Sequence, residues 1–158
     1  MSRAPDRWMT EAIRLAVENV RSGRGGPFGA VIVRGEEILA TGANQVTRTN
    51  DPTAHAEIVA IRSACAAVGD FRLMGCVLYT SCEPCPMCLA AIYWSHLDAV
   101  HFAATHQDAA SYGFDDAFLY DEMRKPILDR SLPMHPVSHP EAALPFQQWA
   151  ASRNKILY

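Results

Sequence analysis

Residues 76–95 read CVLYTSCEPCPMCLAAIYWS, and this stretch decides the fold. Its first part, 76–80, is a short apolar run rich in strand-forming residues, the mark of a strand in a core. Pro84 and Pro86 follow. Proline is tolerated in the first turn of a helix, where its missing N–H has no intrahelical partner to lose. The apolar run after them predicts a helix over 85–95. Cys85 and Cys88 stand at i and i+3, so a helix carries both sulfurs on one face. The positive end of the helix dipole lowers a thiol's pKa and favours the thiolate that a metal needs.

Upstream, residues 51–69 read DPTAHAEIVAIRSACAAVG. Ile58, Val59, Ile61, Ala64, Cys65 and Val68 recur at helical spacing, and Gly69 ends the run. His55 and Glu57 therefore open a helix whose other face is core. Two helix starts converge on one ion. One His and two Cys make three ligands, the number that leaves a tetrahedral zinc an open position for water. Glu57 is placed to serve as acid and base beside that water, as in the zinc deaminases. Zinc lowers the pKa of bound water to about 7 and so provides a nucleophile at neutral pH.

Simpler readings of each half exist. A lone Cys-x-x-Cys fits a redox motif or half of a closed structural zinc site. A closed site needs a fourth ligand, and the nearest spare thiol, Cys82, falls at a strand end. A redox motif leaves the His-x-Glu pair unexplained. Both halves together favour a catalytic zinc, one per protomer.

Outside these stretches the chain alternates. Residues 6–22 predict an amphipathic helix with Trp8, Met9, Ala12, Ile13, Ala16, Val17 and Val20 on its apolar side, ended by Gly23, Gly25 and Gly26. Two strands, 28–33 and 38–41, flank a turn at 34–36. A further strand is predicted over 99–103. After His106 the pattern weakens: a short helix over 115–123, an extended Pro-rich stretch over 130–140, and a last helix over 141–154 ahead of Lys155-Ile156-Leu157-Tyr158. Strands alternating with helices predict an α/β fold, one central sheet with helices on its faces.

The 158 residues are most simply one domain, 1–158, large enough for a proper core. Hydrophobic residues make up 49%, which argues against disorder. The start of the chain carries Arg3, Asp6 and Arg7 and reads as no signal segment. The apolar 85–94 stretch is too short to span a bilayer. Five cysteines are an odd number, and with two on a metal, Cys65, Cys76 and Cys82 read as buried thiols. A reducing cytoplasm fits best. Lys and Arg number 14 against 17 Asp and Glu, a net charge of −3 with no basic cluster, which weighs against a nucleic-acid partner and points to a small molecule.

The chain resembles the cytidine deaminase-like superfamily, and within it the small bacterial guanine deaminases. The resemblance spans nearly the whole length. It rests on Gly26-Pro27-Phe28-Gly29-Ala30, Asn44, the 51–57 and 80–88 motifs, Ala91-Ile92-Tyr93-Trp94, Gly113-Phe114-Asp115-Asp116 and the tail. The zinc motifs specify only the superfamily, and tRNA adenosine deaminases share several of them. The Gly-Phe-Asp-Asp segment and the aromatic C-terminus favour guanine.

The resemblance implies a three-layer α/β/α sandwich with a central mixed sheet. It implies zinc on His55, Cys85 and Cys88, and water attack at C2 of guanine to give xanthine. Glu57 would carry the proton from water to the ring nitrogen beside C2. Asp116 resembles a second carboxylate facing the leaving amine. A carboxylate only accepts hydrogen bonds, and guanine offers donors at N1 and N2, so Asp116 also discriminates against adenine and cytosine. An aspartate there can instead cap the following helix, a role for which Asp115 is better placed.

Asn44 resembles the amide that reads the base edge, or else a turn residue. Phe28 and Trp94 resemble aromatic walls, or else core residues. The resemblance puts Ala56 in the same substrate-binding set. Tyr158 resembles a tyrosine that covers an active site, often the partner protomer's in a homodimer whose 141–158 helix and tail are exchanged. The alternative is a tail docked on its own domain. His96, His101, His106, His135 and His139 read as surface or core residues, with His106 the one to check for proximity to the metal. Rival functions are deamination of another small amino-heterocycle, a tRNA-editing adenosine deaminase, and a non-enzymatic zinc-stabilised binding module.

Overall fold

The two strands predicted on either side of residues 34–36 form a hairpin in the computed structural model, which describes residues 4–158. β1 (Gly29–Arg34) pairs antiparallel with β2 (Glu37–Ala43), from Gly29 opposite Ala43 to Arg34 opposite Glu37. β3 (Cys76–Cys82) lies antiparallel on the other side of β1. β4 (Ala99–Ala104) runs parallel to β3, giving the order β2-β1-β3-β4. The sheet is mixed, as the resemblance implies.

β1 is buried from Gly29 to Val33, so its alternating side chains feed two cores. On one face Ala30, Ile32 and Leu78 pack with Ala56, Ala60, Ile61 and Ala64 of α3 (Ala56–Val68) and Ile92 of α4 (Pro86–Trp94). On the other, Val31, Val33 and Tyr79 pack with Ala12 of α1 (Ala4–Arg21), with Trp8, Met9 and Leu15 beside it. That is the three-layer sandwich. The α3 helix lies close on the sheet because β2 offers it a glycine. A Cβ at Gly42 would sit 2.1 Å from the carbonyl oxygen of Ala56, the first residue of α3. The backbone that carries His55 and Glu57 is therefore seated against the strand with no side chain between.

The predicted long helices and strands are found within a few residues of their expected ends. Two short helices are not predicted. α2 (Val46–Thr49) is a single turn after β2. α5 (His106–Ala110) begins with a capping box: the Thr105 hydroxyl accepts from the Asp108 N–H while the Asp108 carboxylate accepts from the Thr105 N–H. Both are too short for an apolar period to show.

The chain divides into two compact units, Met1–Phe118 and Leu119–Tyr158. The sheet, its helices and the candidate site belong to the first. α6 (Ala117–Arg124) crosses the boundary. The second unit continues with a 3-10 turn at Ile127–Asp129 and α7 (Leu144–Ala151), shorter than the predicted 141–154 helix. The 130–140 stretch carries neither helix nor strand. Within this unit Glu122 accepts from Lys125 Nζ and from the Ser131 N–H, at 2.6 and 2.7 Å, and its pKa is held down to about 2, Lys125 first among the causes. The Tyr158 ring meets Trp149 edge-on at 6.4 Å.

Candidate active site

His55 and Cys85 occupy equivalent positions. His55 is the N-cap of α3 and Cys85 the N-cap of α4, both with extended backbone and neither using its side chain as a cap. Each side chain is thereby left to point at a common centre. Pro86 opens α4 as predicted, and Cys88 follows in the first turn. The three ligand atoms lie within 4.8 Å of one another. His55 Nδ1 is 3.6 Å from Cys85 Sγ and 3.5 Å from Cys88 Sγ. A tetrahedral zinc with Zn–S of about 2.3 Å and Zn–N of about 2.0–2.1 Å needs N···S edges of about 3.6 Å. The donors fit zinc.

The charges fit as well. The pKa of Cys85 is held down to about 4, first by the hydrogen bond from the Cys88 thiol and then by His55, which favours the thiolate. Cys88 is correspondingly held up, first by its bond to Cys85. The Cys85 sulfur also raises the pKa of His55. A metal entering here displaces the shared protons. Cys82, the nearest spare thiol, is pushed up to about 11 by burial and donates to the Thr105 carbonyl at 3.6 Å. It is not in the metal group, which among the described residues has three members.

A cavity of about 380 Å³ opens beside His55 and Cys85, within the size range of small-molecule sites. Phe28, Asn44, His55, Glu57, Cys85 and Asp116 all line it. Glu57 is 6% exposed, and burial holds its carboxyl above the usual carboxylate range. Burial does the same for Asp116. Asp116 Oδ1 is buried with no hydrogen-bond partner. Its neighbour Asp115 accepts from the Ala117 N–H at 2.9 Å and so takes the helix-start role.

Two other predicted residues are not among those lining the cavity, and a third belongs to the other unit. The Ala56 side chain is fully buried in the α3–sheet core. Trp94 ends α4, 61% exposed, and is not among the residues lining the cavity. Tyr158 belongs to the C-terminal unit.

The cavity adds Phe114 and Glu83, to which the sequence assigns no role of their own, and His106, the histidine marked for checking. Phe114 meets Phe28 edge-on, with centroids 5.0 Å apart and rings at 89°. Its place beside Asp115-Asp116 was the available signal. Glu83 Oε2 accepts from the backbone N–H of His106 at 3.0 Å and pairs with His106 Nδ1 at 2.7 Å. Glu83 and His106 both line the cavity. Nothing in sequence connects them, because they are 23 positions apart and meet only in the fold.

Residues 2–104 match the family described as the cytidine and deoxycytidylate deaminase zinc-binding region. The chain is 54% identical over 151 residues to the guanine deaminase of Bacillus subtilis (strain 168), covering 96% of this chain and 97% of that one. It is 40% identical over 101 residues to the tRNA-specific adenosine deaminase of Buchnera aphidicola subsp. Schizaphis graminum, covering 64% of this chain and 66% of that protein. The X-ray structure of guanine deaminase from Bacillus subtilis superposes with a TM-score of 0.96 at 52% identity, over 100% of this chain and 99% of that one.

Proposed function

We infer, from a chain that belongs to the cytidine and deoxycytidylate deaminase zinc-binding family, an enzyme that hydrolyses guanine to xanthine and ammonia. It is a zinc-dependent hydrolase acting on a C–N bond. Its place is in purine breakdown or salvage. The observation that carries the substrate is Asp116 Oδ1, a buried acceptor with no partner, in the same cavity as the metal ligands His55 and Cys85. A donor edge such as N1–H and N2–H of guanine satisfies it.

His55, Cys85 and Cys88 hold the zinc. When bound, the metal supplies a water acidic enough to be a nucleophile at neutral pH. Glu57 would take a proton from the attacking water and hand it to the ring nitrogen beside C2, as the water oxygen bonds to C2. Its raised pKa suits a group that must both accept and return a proton. Asp116 holds the amino group and directs it outward. Glu57 or Asp116 passes to it the proton of the new C2 hydroxyl, the C2–N bond breaks as C2=O forms, and ammonia leaves. Phe28, braced by Phe114, stacks on the purine. Asn44 reads its polar edge.

The protein acts as a homodimer in this reading. Ile156, Leu157 and Tyr158 are 65–76% exposed, and Tyr93 and Trp94 are 75% and 61% exposed. Apolar surface of that extent favours a protein partner, and a second copy is the simplest. Tyr158 then closes a pocket, its own or its neighbour's. Thiolate ligands and three further free thiols suit a reducing cytoplasm. No helix among the described residues is long and apolar enough to cross a membrane.

An ammonia-release assay across guanine, adenine, cytosine, cytidine and other amino-heterocycles tests the substrate. Guanine should be turned over far faster than the rest. Asp116→Asn should damage guanine turnover while leaving thermal stability near wild type. A tRNA anticodon arm proving the better substrate, or an Asp116→Asn enzyme with wild-type kinetics, would overturn the reading.

A further inference from the structure

α1 packs its apolar side on the sheet, but near its C-terminal end it also spends a polar group on the pocket's frame. Asn19 is 7% exposed. Its Nδ2 donates to the carbonyl of Asn44 at 2.8 Å and to the carbonyl of Gly26 at 2.9 Å. Those carbonyls belong to two loops that border the cavity, one leading to Phe28 and one carrying Asn44. The loops are also tied to each other, since the Asn44 N–H donates to the Phe28 carbonyl at 3.1 Å. Asn44 Oδ1 accepts the Val46 N–H at 3.2 Å, which leaves the donor end, Nδ2, for a base. The side chain is thus aimed by its backbone, and the backbone is held by Asn19. Gly25 leaves room for this contact: a Cβ there would stand 2.2 Å from the Asn44 carbonyl oxygen and 2.9 Å from Asn19 Nδ2.

We propose that Asn19 is a positioning residue for substrate binding, which holds the Asn44 loop so that the Asn44 amide meets the base. The proposal rests on the reading of Asn44 as a base-binding residue. A helix assigned to the scaffold then contributes to affinity without touching substrate or metal. A buried carbonyl left without its donor shifts or finds water, and the aim of Asn44 shifts with it. Glu57 and the three metal ligands stand on α3 and α4, so their chemistry is left intact.

The test is steady-state guanine kinetics on Asn19→Ala, Asn44→Ala and the double variant, with zinc content measured on each. Asn19→Ala should raise KM roughly tenfold with kcat within about twofold of wild type, the signature of lost binding and not of lost chemistry. Zinc should stay at one per chain. In the Asn44→Ala background the Asn19 change should add no further rise in KM, because the two act through one contact. Gly25→Ala crowds the same carbonyl from another residue and should reproduce the KM effect. Asn19→Ser keeps one donor and should fall between, and these two variants carry the test if Asn19→Ala folds poorly. A wild-type KM in Asn19→Ala and Gly25→Ala, or a KM rise that multiplies fully with that of Asn44→Ala, would overturn the proposal. A wild-type KM in Asn44→Ala would instead remove the reading of Asn44, and the proposal with it.

Discussion

The two units bury their residues very differently. In the first, β1, β3 and the helices on both faces contribute buried side chains, and β2 adds the partly buried Leu39 and Ala40. No described residue after Ser95 is buried. The C-terminal unit nevertheless carries Leu128, Leu132, Val137, Phe146, Leu157 and Tyr158, all more than 70% exposed. Apolar residues in that state stabilise little, since burial contributes only about 25 cal/mol per Å² removed from water. The first unit is built to hold chemistry in place by itself. The second is composed like an interface.

The sharpest test of that division is metal removal. Chelation, or His55→Ala, should abolish guanine turnover, and zinc analysis should show the ion gone. Because two helix starts meet on the metal, the apo protein should also melt at a lower temperature. An apo enzyme that kept its activity would mean that the convergent ligands do not form the active centre.

Glu57→Gln comes next. Removing a general acid and base typically costs roughly 10²–10⁴ in rate, and in the proposed mechanism Glu57 serves more than one proton transfer, so kcat should fall to the upper end of that range. Zinc content should not change. A variant that kept most of its rate would place the proton transfer elsewhere.

Truncation of Ile156, Leu157 and Tyr158 probes the other unit. Most activity should be lost while zinc content and melting temperature stay near wild type, because the deleted residues are exposed. If the tail crosses to a neighbour, a Tyr158-lacking variant refolded with Glu57→Gln should regain part of the activity. Full activity after truncation would reduce the C-terminal unit to decoration.

The smallest effect concerns pH and lies in the first unit. The Glu83 carboxylate holds the His106 pKa above its ordinary 6.5, and His106 holds that of Glu83 below 4.5. A raised histidine contributes stability below its unfolded pKa and loses it as pH rises through the folded one. A lowered carboxylate contributes above its unfolded pKa and loses it as pH falls through the folded one. The pair therefore stabilises most between about 4.5 and 6.5. Melting temperatures of Glu83→Gln and wild type should differ most in that window and by less at alkaline pH, where only the hydrogen bond from the His106 backbone N–H to the carboxylate remains. A constant difference across pH would mean that the contact is not ionic.

What sequence could reveal depended on distance along the chain. The metal ligands were legible because each motif is local: i, i+3 for the sulfurs, and a helix start for His55. The strands of the hairpin and the long helices showed by period. The short α5 did not, although its Thr105–Asp108 capping box was there to be read. The Glu83–His106 and Asn19–Asn44 contacts, 23 and 25 positions apart, have no local signature and exist only once the sheet has formed. Aromatic residues such as Trp94 read alike whether they wall a pocket or face outward, since hydrophobicity does not specify direction.

The glycine at position 42 bears on how such an enzyme changes. With the first turn of α3 pressed directly on β2, His55 and Glu57 have no slack in which to drift, and a larger residue at 42 would have to displace the helix that carries both. Around Asn44, Val46 and Thr47 on one side and Gly113 and Phe114 on the other the chain lies outside that contact, yet these residues line the same cavity. A lineage, or a laboratory library, can therefore vary those two segments to admit a different heterocycle while the hydrolytic machinery is inherited unaltered. Selection for new substrates should accept substitutions in those segments and reject them at 42.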